Sequence, residues 1–186
     1  NLQFLAVLAA VLRAVYLHGD LLRASVALAG NEHRLGANEA PPAIISVFLG
    51  GQLTTILNMI EKGVKSKVSK RDIIDLGIGR GELSKEILKL NKPMKIIGID
   101  NQKEMLALSK NSLNKYVKNK KLQLICGDAL NCLSKIKSDS VDIYTSCWTL
   151  HNILTKNRKP VIAQIFRVLK PGGIFGLDYL NVHFAE

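Results

Sequence analysis

From Arg71 onward, short apolar runs rich in β-branched residues alternate with stretches whose apolar positions recur every three or four residues. The runs Ile73-Ile74-Asp75-Leu76, Lys95-Ile96-Ile97-Gly98-Ile99-Asp100, Leu122-Gln123-Leu124-Ile125, Val141-Asp142-Ile143-Tyr144 and Gly173-Ile174-Phe175-Gly176-Leu177 are predicted strands. They are short and mostly apolar, as buried parallel strands are. Helices are predicted between them over Glu82–Leu90, Lys103–Lys115, Leu130–Ile136 and Arg158–Leu169, the last with Val161, Ile165, Val168 and Leu169 at helical spacing. Lys170-Pro171-Gly172-Gly173 ends that helix, because proline cannot continue it and glycine takes positive φ freely. The order is that of βαβ units, hence an α/β fold with a doubly wound, mainly parallel sheet of five strands.

Before Arg71 the pattern differs. Leu5–Leu28 has helical periodicity, Gly30–Pro42 reads as a polar loop, and Ile44–Ile60 reads as a second helical stretch. The expected organisation is therefore an N-terminal helical appendage over 1–60, a lysine-rich junction over 61–70, and a core over 71–186. Composition sharpens the break. The net charge of +11 lies entirely downstream: residues 1–60 hold three Arg and three acidic residues, whereas residues 61–186 hold 23 basic residues, 19 of them lysine, and 12 acidic ones. Ten of the 14 alanines lie in the first sixty residues. Such a shift in residue usage points to two stretches of different origin.

A basic chain can signal an anionic partner, but along the sequence the lysines are spread between strands and helices, which reads as a solvated surface. Cys126, Cys132 and Cys147 are odd in number and lack a C-x-x-C spacing, so neither a disulfide framework nor a metal site is expected, and a cytoplasmic setting fits. The apolar stretch Leu2–Leu12 is too short to span a bilayer and lacks the basic flank of a signal peptide, so no membrane segment is expected. A chain that starts at Asn1 without a methionine is compatible with a processed or excised piece.

The chemistry is concentrated after the first core strand. Asp75-Leu76-Gly77-Ile78-Gly79-Arg80-Gly81 is a strand that ends in a glycine-rich turn opening a helix. Glycines let the backbone pass close under a ligand, and the amides at the helix start offer donors. The spacing is G-x-G-x-G. Glu82 stands where a dinucleotide fingerprint has its third glycine, and a carboxylate there would meet a pyrophosphate, which argues against NAD or FAD. Asp100 follows 19 residues after Gly81 at the end of the second strand, where a carboxylate can accept both hydroxyls of a ribose, with Asn101 beside it. Gly127-Asp128-Ala129 follows the third strand and offers a carboxylate and a backbone donor to a nucleobase.

These elements, together with Leu169-Lys170-Pro171-Gly172-Gly173, resemble class I, Rossmann-like S-adenosylmethionine-dependent methyltransferases over about residues 70–180. The resemblance implies that S-adenosylmethionine is the cofactor, with Asp75 and Gly77, Gly79 and Gly81 at its amino-acid part, Asp100 at the ribose, Asp128 and Ala129 at the adenine, and Asn101 also in the cofactor set. It also implies two further strands beyond the fifth, so the sheet is expected to be shortened and to carry an unpaired edge.

The segment Thr145-Ser146-Cys147-Trp148-Thr149-Leu150-His151-Asn152 follows the fourth strand, at the carboxyl edge where ligands bind in such sheets. In the family that edge faces the methyl group, which brings Ser146 into the cofactor set. The segment resembles the subgroup acting on small molecules and quinones, and also the enzyme that makes carboxy-S-adenosylmethionine for tRNA modification. It lacks the N/D-P-P-Y/F motif of amino-directed DNA methyltransferases. Methyl transfer needs alignment above all, and a base only where the acceptor loses a proton. His151 is the candidate base, with packing or capping as its other reading; Trp148 is either a packing residue or a pocket wall, and Tyr144 reads as core. Cys147 lacks the Pro-Cys dipeptide of the RNA 5-methylcytosine enzymes. The expected activity is methyl transfer to a small-molecule acceptor, the alternatives being a tRNA-directed or carboxy-S-adenosylmethionine-forming enzyme and a non-catalytic fusion fragment.

Residues Leu5–Leu57, above all His33-Arg34-Leu35-Gly36-Ala37-Asn38-Glu39-Ala40-Pro41-Pro42, are similar to an active-site stretch of type III glutamine synthetases. The resemblance implies glutamate or phosphate contact by Arg34 and an ammonium-side position for Glu39. The strands and metal-binding glutamates that complete that site are missing here, so a fused piece is expected, without glutamine synthesis.

Overall fold

The computed structural model describes residues 44–49, 71–90 and 93–179. Six strands form one sheet: β1 (Ile44–Leu49), β2 (Arg71–Leu76), β3 (Met94–Asp100), β4 (Leu122–Cys126), β5 (Val141–Cys147) and β6 (Leu169–Tyr179). Their spatial order is β1-β6-β5-β2-β3-β4, and every neighbouring pair is parallel. Among the described residues five helices lie between β2 and β6, α1 (Glu82–Lys89), α2 (Lys103–Ser112), α3 (Asn114–Lys118), α4 (Ala129–Ser134) and α5 (Thr155–Val168), with a 3-10 turn at Leu150–Asn152.

The five core strands appear where the apolar runs place them, each extended by a residue or more, because parallel strands buried on both faces need apolar side chains on both. One face packs Ile74, Leu76, Ile99, Tyr144, Phe175 and Leu177 against α4 and α5. The other packs Ile73, Ile96, Leu122, Ile143 and Ile174 against α1 and α2. Phe175 sits between two edge-to-face rings, Tyr144 at 5.7 Å and Phe166 at 6.2 Å, a geometry that adds to area burial.

The structure departs from the sequence reading in three places. Ile44–Leu49 is a strand, not the start of a helix, and it pairs with Ile174–Tyr179 of β6. That pairing also corrects the expectation of an unpaired edge: β6 has β5 on one side and β1 on the other. Ile-Ile-Ser-Val-Phe-Leu has no period that separates strand from helix, and the open ladder of β6 decides. Second, no loop separates α5 from β6. Leu169, the residue that caps α5, is already extended, and the four residues between Leu169 and Ile174 are accommodated opposite Asp142 alone, an irregularity in which Gly172 has φ 73°. Third, α5 begins at Thr155, so Pro160 lies inside it. The helix predicted over Leu5–Leu28, the loop at 30–42 and the motif residues Arg34 and Glu39 lie outside the described residues.

Candidate functional site

The strands run outward from β2 in two directions, β3 and β4 to one side and β5 and β6 to the other. The reversal opens a crevice at the carboxyl ends of β2 and β5, the topological switch point of such sheets. The loops that leave these two strands interlock there. Gly77, the first residue after β2, has φ 71°, and a Cβ on it would stand 1.8 Å from Thr149 Oγ1 of the loop after β5. Thr149 is itself pinned by donating its hydroxyl to Cys147 O at 2.8 Å.

Gly79 differs from its neighbours. Its φ of 53° favours glycine, yet a Cβ there would meet nothing closer than Gly77 O at 3.9 Å. Crowding by protein therefore does not exclude a side chain at Gly79; the turn keeps an open, bare backbone surface. Its amide donates to Asp100 Oδ2 at 2.9 Å, and the other Asp100 oxygen accepts from the Gln102 amide at 2.9 Å. The glycine turn and the acid at the end of β3 are thus one unit. Helix α2 buttresses it: Ser109 Oγ donates to Gly79 O at 3.1 Å, and Ser109 and Leu113 fill the space beside Gly81.

Beneath the turn lies Asp75, 2% exposed. Ser84 of α1 donates to its Oδ2 at 2.7 Å and Thr145 of β5 to its Oδ1 at 3.0 Å. Burial pushes this carboxyl above its ordinary value, opposed by the two hydroxyls and reinforced by the Asp100 charge. Asp75 ties β2, α1 and β5 together under the turn. The Tyr144 hydroxyl and Ser146 Oγ are buried without hydrogen-bond partners; burial, then the charge of Asp75, holds the Tyr144 phenol well above its usual value.

Asp128 is exposed and caps α4, its Oδ1 accepting from the amides of Leu130 at 2.9 Å and Asn131 at 3.2 Å. Ala129 is the first residue of that helix. Asn101 O lies 4.0 Å from Cys126 Sγ, which joins the ends of β3 and β4. His151 is in the 3-10 turn after β5, and its side chain lies outside the described residues. Trp148, 51% exposed, has φ 53° at the same crevice.

Asp75, Gly77, Gly79, Gly81, Asp100, Asn101, Asp128, Ala129 and Ser146 are thereby gathered at the carboxyl ends of four adjacent strands, β5-β2-β3-β4. Ser109, Ser84 and Gln102 escaped the sequence reading, and Thr145 and Thr149 entered it only as part of the segment after the fourth core strand. For Ser109 a signal exists: a serine on a helix between Leu106 and Leu113, both buried.

The profile of the methyltransferase domain family matches residues 74–177, from β2 to β6. The chain belongs to that family. Methyltransferases of this family are S-adenosylmethionine-dependent, and the fold has counterparts among solved structures. One is a Haemonchus contortus phosphoethanolamine N-methyltransferase in complex with phosphomonomethylethanolamine and S-adenosylhomocysteine: TM-score 0.53, 20% identity, 65% of this chain and 27% of that one. Among curated proteins, a carboxy-S-adenosyl-L-methionine synthase of Shewanella sediminis is 30% identical over 109 residues, 58% of this chain and 43% of the relative. The N-terminal part matches the type-3 glutamine synthetase of Dictyostelium discoideum, 55% identical over 78 residues, 42% of this chain and 11% of the relative. That match is longer than Leu5–Leu57. The methyltransferase domain therefore spans less than half of its curated relative, and the synthetase match about a tenth of its own.

Proposed function

We propose that this chain binds S-adenosylmethionine at the crevice between β2 and β5 and transfers its methyl group to a small-molecule acceptor. The observation that carries the reading is the Gly79–Asp100 hydrogen bond, which holds an open glycine backbone and a strand-end carboxylate side by side.

The residues suit the group. Gly79 leaves room for the amino-acid part to lie on bare backbone, and Ser146 offers an unpaired buried hydroxyl at the end of β5. Asp100 has acceptor capacity left for ribose hydroxyls, since each oxygen accepts one protein hydrogen bond. Asp128, Ala129 and Asn101 flank the adenine side. Asp75 acts from beneath as a positioning residue, since both of its oxygens are engaged. When bound, S-adenosylmethionine would supply an electrophilic methyl group on a sulfonium for an acceptor's lone pair. The protein's part is alignment and exclusion of water. His151 takes a proton only from an acceptor that must lose one.

The test is calorimetric titration of S-adenosylmethionine into the chain, beside Asp100→Ala and Asp100→Asn. Saturable binding, weakened about tenfold or more in both variants, is expected from loss of charge-assisted bonds; no binding by the folded wild type would end the reading and leave a fusion fragment that performs no chemistry. The 30% identity to a carboxy-S-adenosyl-L-methionine synthase favours one second reading, in which the donor itself is modified. Mass spectrometry separates the two: methyl transfer leaves S-adenosylhomocysteine, whereas the second reaction leaves a donor that has gained a carboxyl group.

A further inference from the structure

The fold brings Lys95 beside the lysines of residues 110–121. At the amino-terminal ends of β3 and β4, a groove of about 490 Å³ is lined by Lys95 of β3, Lys110 of α2, Lys120 of the turn before β4, and Val117, Leu122, Gln123 and Leu124. No acidic side chain among the described residues lines it. Among the described residues none of its three lysines is in an ion pair; the ion pairs there are Lys89–Glu86 and Lys170–Asp142. Lys120 takes φ 62°, an uncommon conformation for lysine. Lys115, Lys118 and Lys121 extend the positive surface, and from Lys103 to Lys121 Glu104 is the only acidic residue.

The groove is separate from the cofactor crevice. Lys95 and Asp100 stand near opposite ends of β3, five residues or about 16 Å apart at the rise of a strand. Three ammonium groups around an apolar floor call for a ligand that carries several anionic groups and a flat apolar body. Lysines beyond the groove call for one longer than the groove itself. The concave shape suits a single strand better than a bilayer, which docks on flat or convex apolar faces.

We propose that this groove binds single-stranded nucleic acid, with backbone phosphates at Lys95, Lys110 and Lys120 and a base against the half-buried Val117 and Leu124. Lysines act here as point charges without base-edge readout, so binding is tolerant of sequence and steep in salt. The inference does not depend on methyl transfer.

The experiment is fluorescence anisotropy of a labelled oligouridylate of about 12 nucleotides with the full chain, across roughly 50 to 200 mM potassium chloride. Three phosphates neutralised on a single strand predict a log–log salt slope near −2, an affinity loss of about 20-fold over that range. The Lys95→Gln/Lys110→Gln/Lys120→Gln variant is expected to bind at least about tenfold more weakly, with a shallower slope. A control with the same charge change, Lys137→Gln/Lys156→Gln/Lys159→Gln, should keep affinity within about threefold. Equal losses in both variants, or no salt-dependent binding by the wild type, overturn the proposal. So does lysine-dependent binding of phosphatidylserine vesicles with none of the oligonucleotide. Circular dichroism and S-adenosylmethionine titration check folding, and if the triple variant does not fold, Lys110→Gln and Lys120→Gln, both exposed, are read singly.

Discussion

Gly77 and Gly79 sit two residues apart in one turn with similar positive φ, yet different physics holds each as glycine. At Gly77 a Cβ would collide with Thr149, so Gly77→Ala is expected to lose about 3 kcal/mol or more, from the left-handed backbone and the overpacking together. At Gly79 there is space, so Gly79→Ala should lose only about 1–2 kcal/mol of stability. Its affinity for S-adenosylmethionine should nevertheless fall by an order of magnitude or more, because the new methyl group enters the open cradle. Thermal melts paired with calorimetry separate the two, and equal stability losses would contradict the assignment of Gly79. Asp75 gives a pH test. Its carboxyl is raised from 3.8 by burial, so the folded state holds the proton more tightly than the unfolded chain does. That stabilisation is complete below 3.8 and is lost as pH rises through the raised folded value. Asp75→Asn removes this dependence, so the wild type should lose stability relative to the variant across that window, as followed by urea melts at a series of pH values.

At the scale of elements, the sequence was most readable where burial on both faces forces apolar runs. Ile73–Leu76, Lys95–Asp100 and Leu122–Ile125 all became strands for that reason. The helix predicted over Lys103–Lys115 breaks at Leu113, which is 1% exposed and fills the space beside Gly81, a contact invisible in one dimension. The acid and glycines of the site could be read because each sits at a strand end with a local reason to be there; the hydroxyls that brace them come from α1, α2 and β5 and carry no motif. Ile44–Leu49 was misread because its state is set by β6 alone. In a strand, successive amides point to opposite sides. Of Ser46→Pro and Val47→Pro, therefore, one removes an amide that faces β6 and the other an amide that faces away. The first should cost about 1–3 kcal/mol and the second much less. Hydrogen exchange at Phe175–Leu177 should quicken in the first alone; no change in either would mean that β1 contributes nothing to the sheet.

Two features suited to anions fall at opposite edges of the sheet: an open glycine turn at the carboxyl end of β2 and a lysine groove at the amino ends of β3 and β4. Among the described residues no helix is long and apolar enough to cross a membrane. If the crevice binds S-adenosylmethionine, mass action should stabilise the sheet by about 2.7 kcal/mol at a hundredfold excess over Kd, visible as a rise in Tm that Asp100→Ala cuts to about half or less.

The pairing of β1 with β6 also has a consequence in time. Ile44 and Ile174 are 174 − 44 = 130 residues apart, and a ribosome adding roughly 5–20 residues per second needs on the order of 6–26 s to pass from one to the other. Throughout that interval Ile-Ile-Ser-Val-Phe-Leu has no ladder to join, while β2 to β5 assemble ahead of it from shorter connections. Of the described strands the one made first is the last to be seated, and a nascent chain stalled before β6 exposes an apolar segment of the kind that chaperones hold and aggregates recruit.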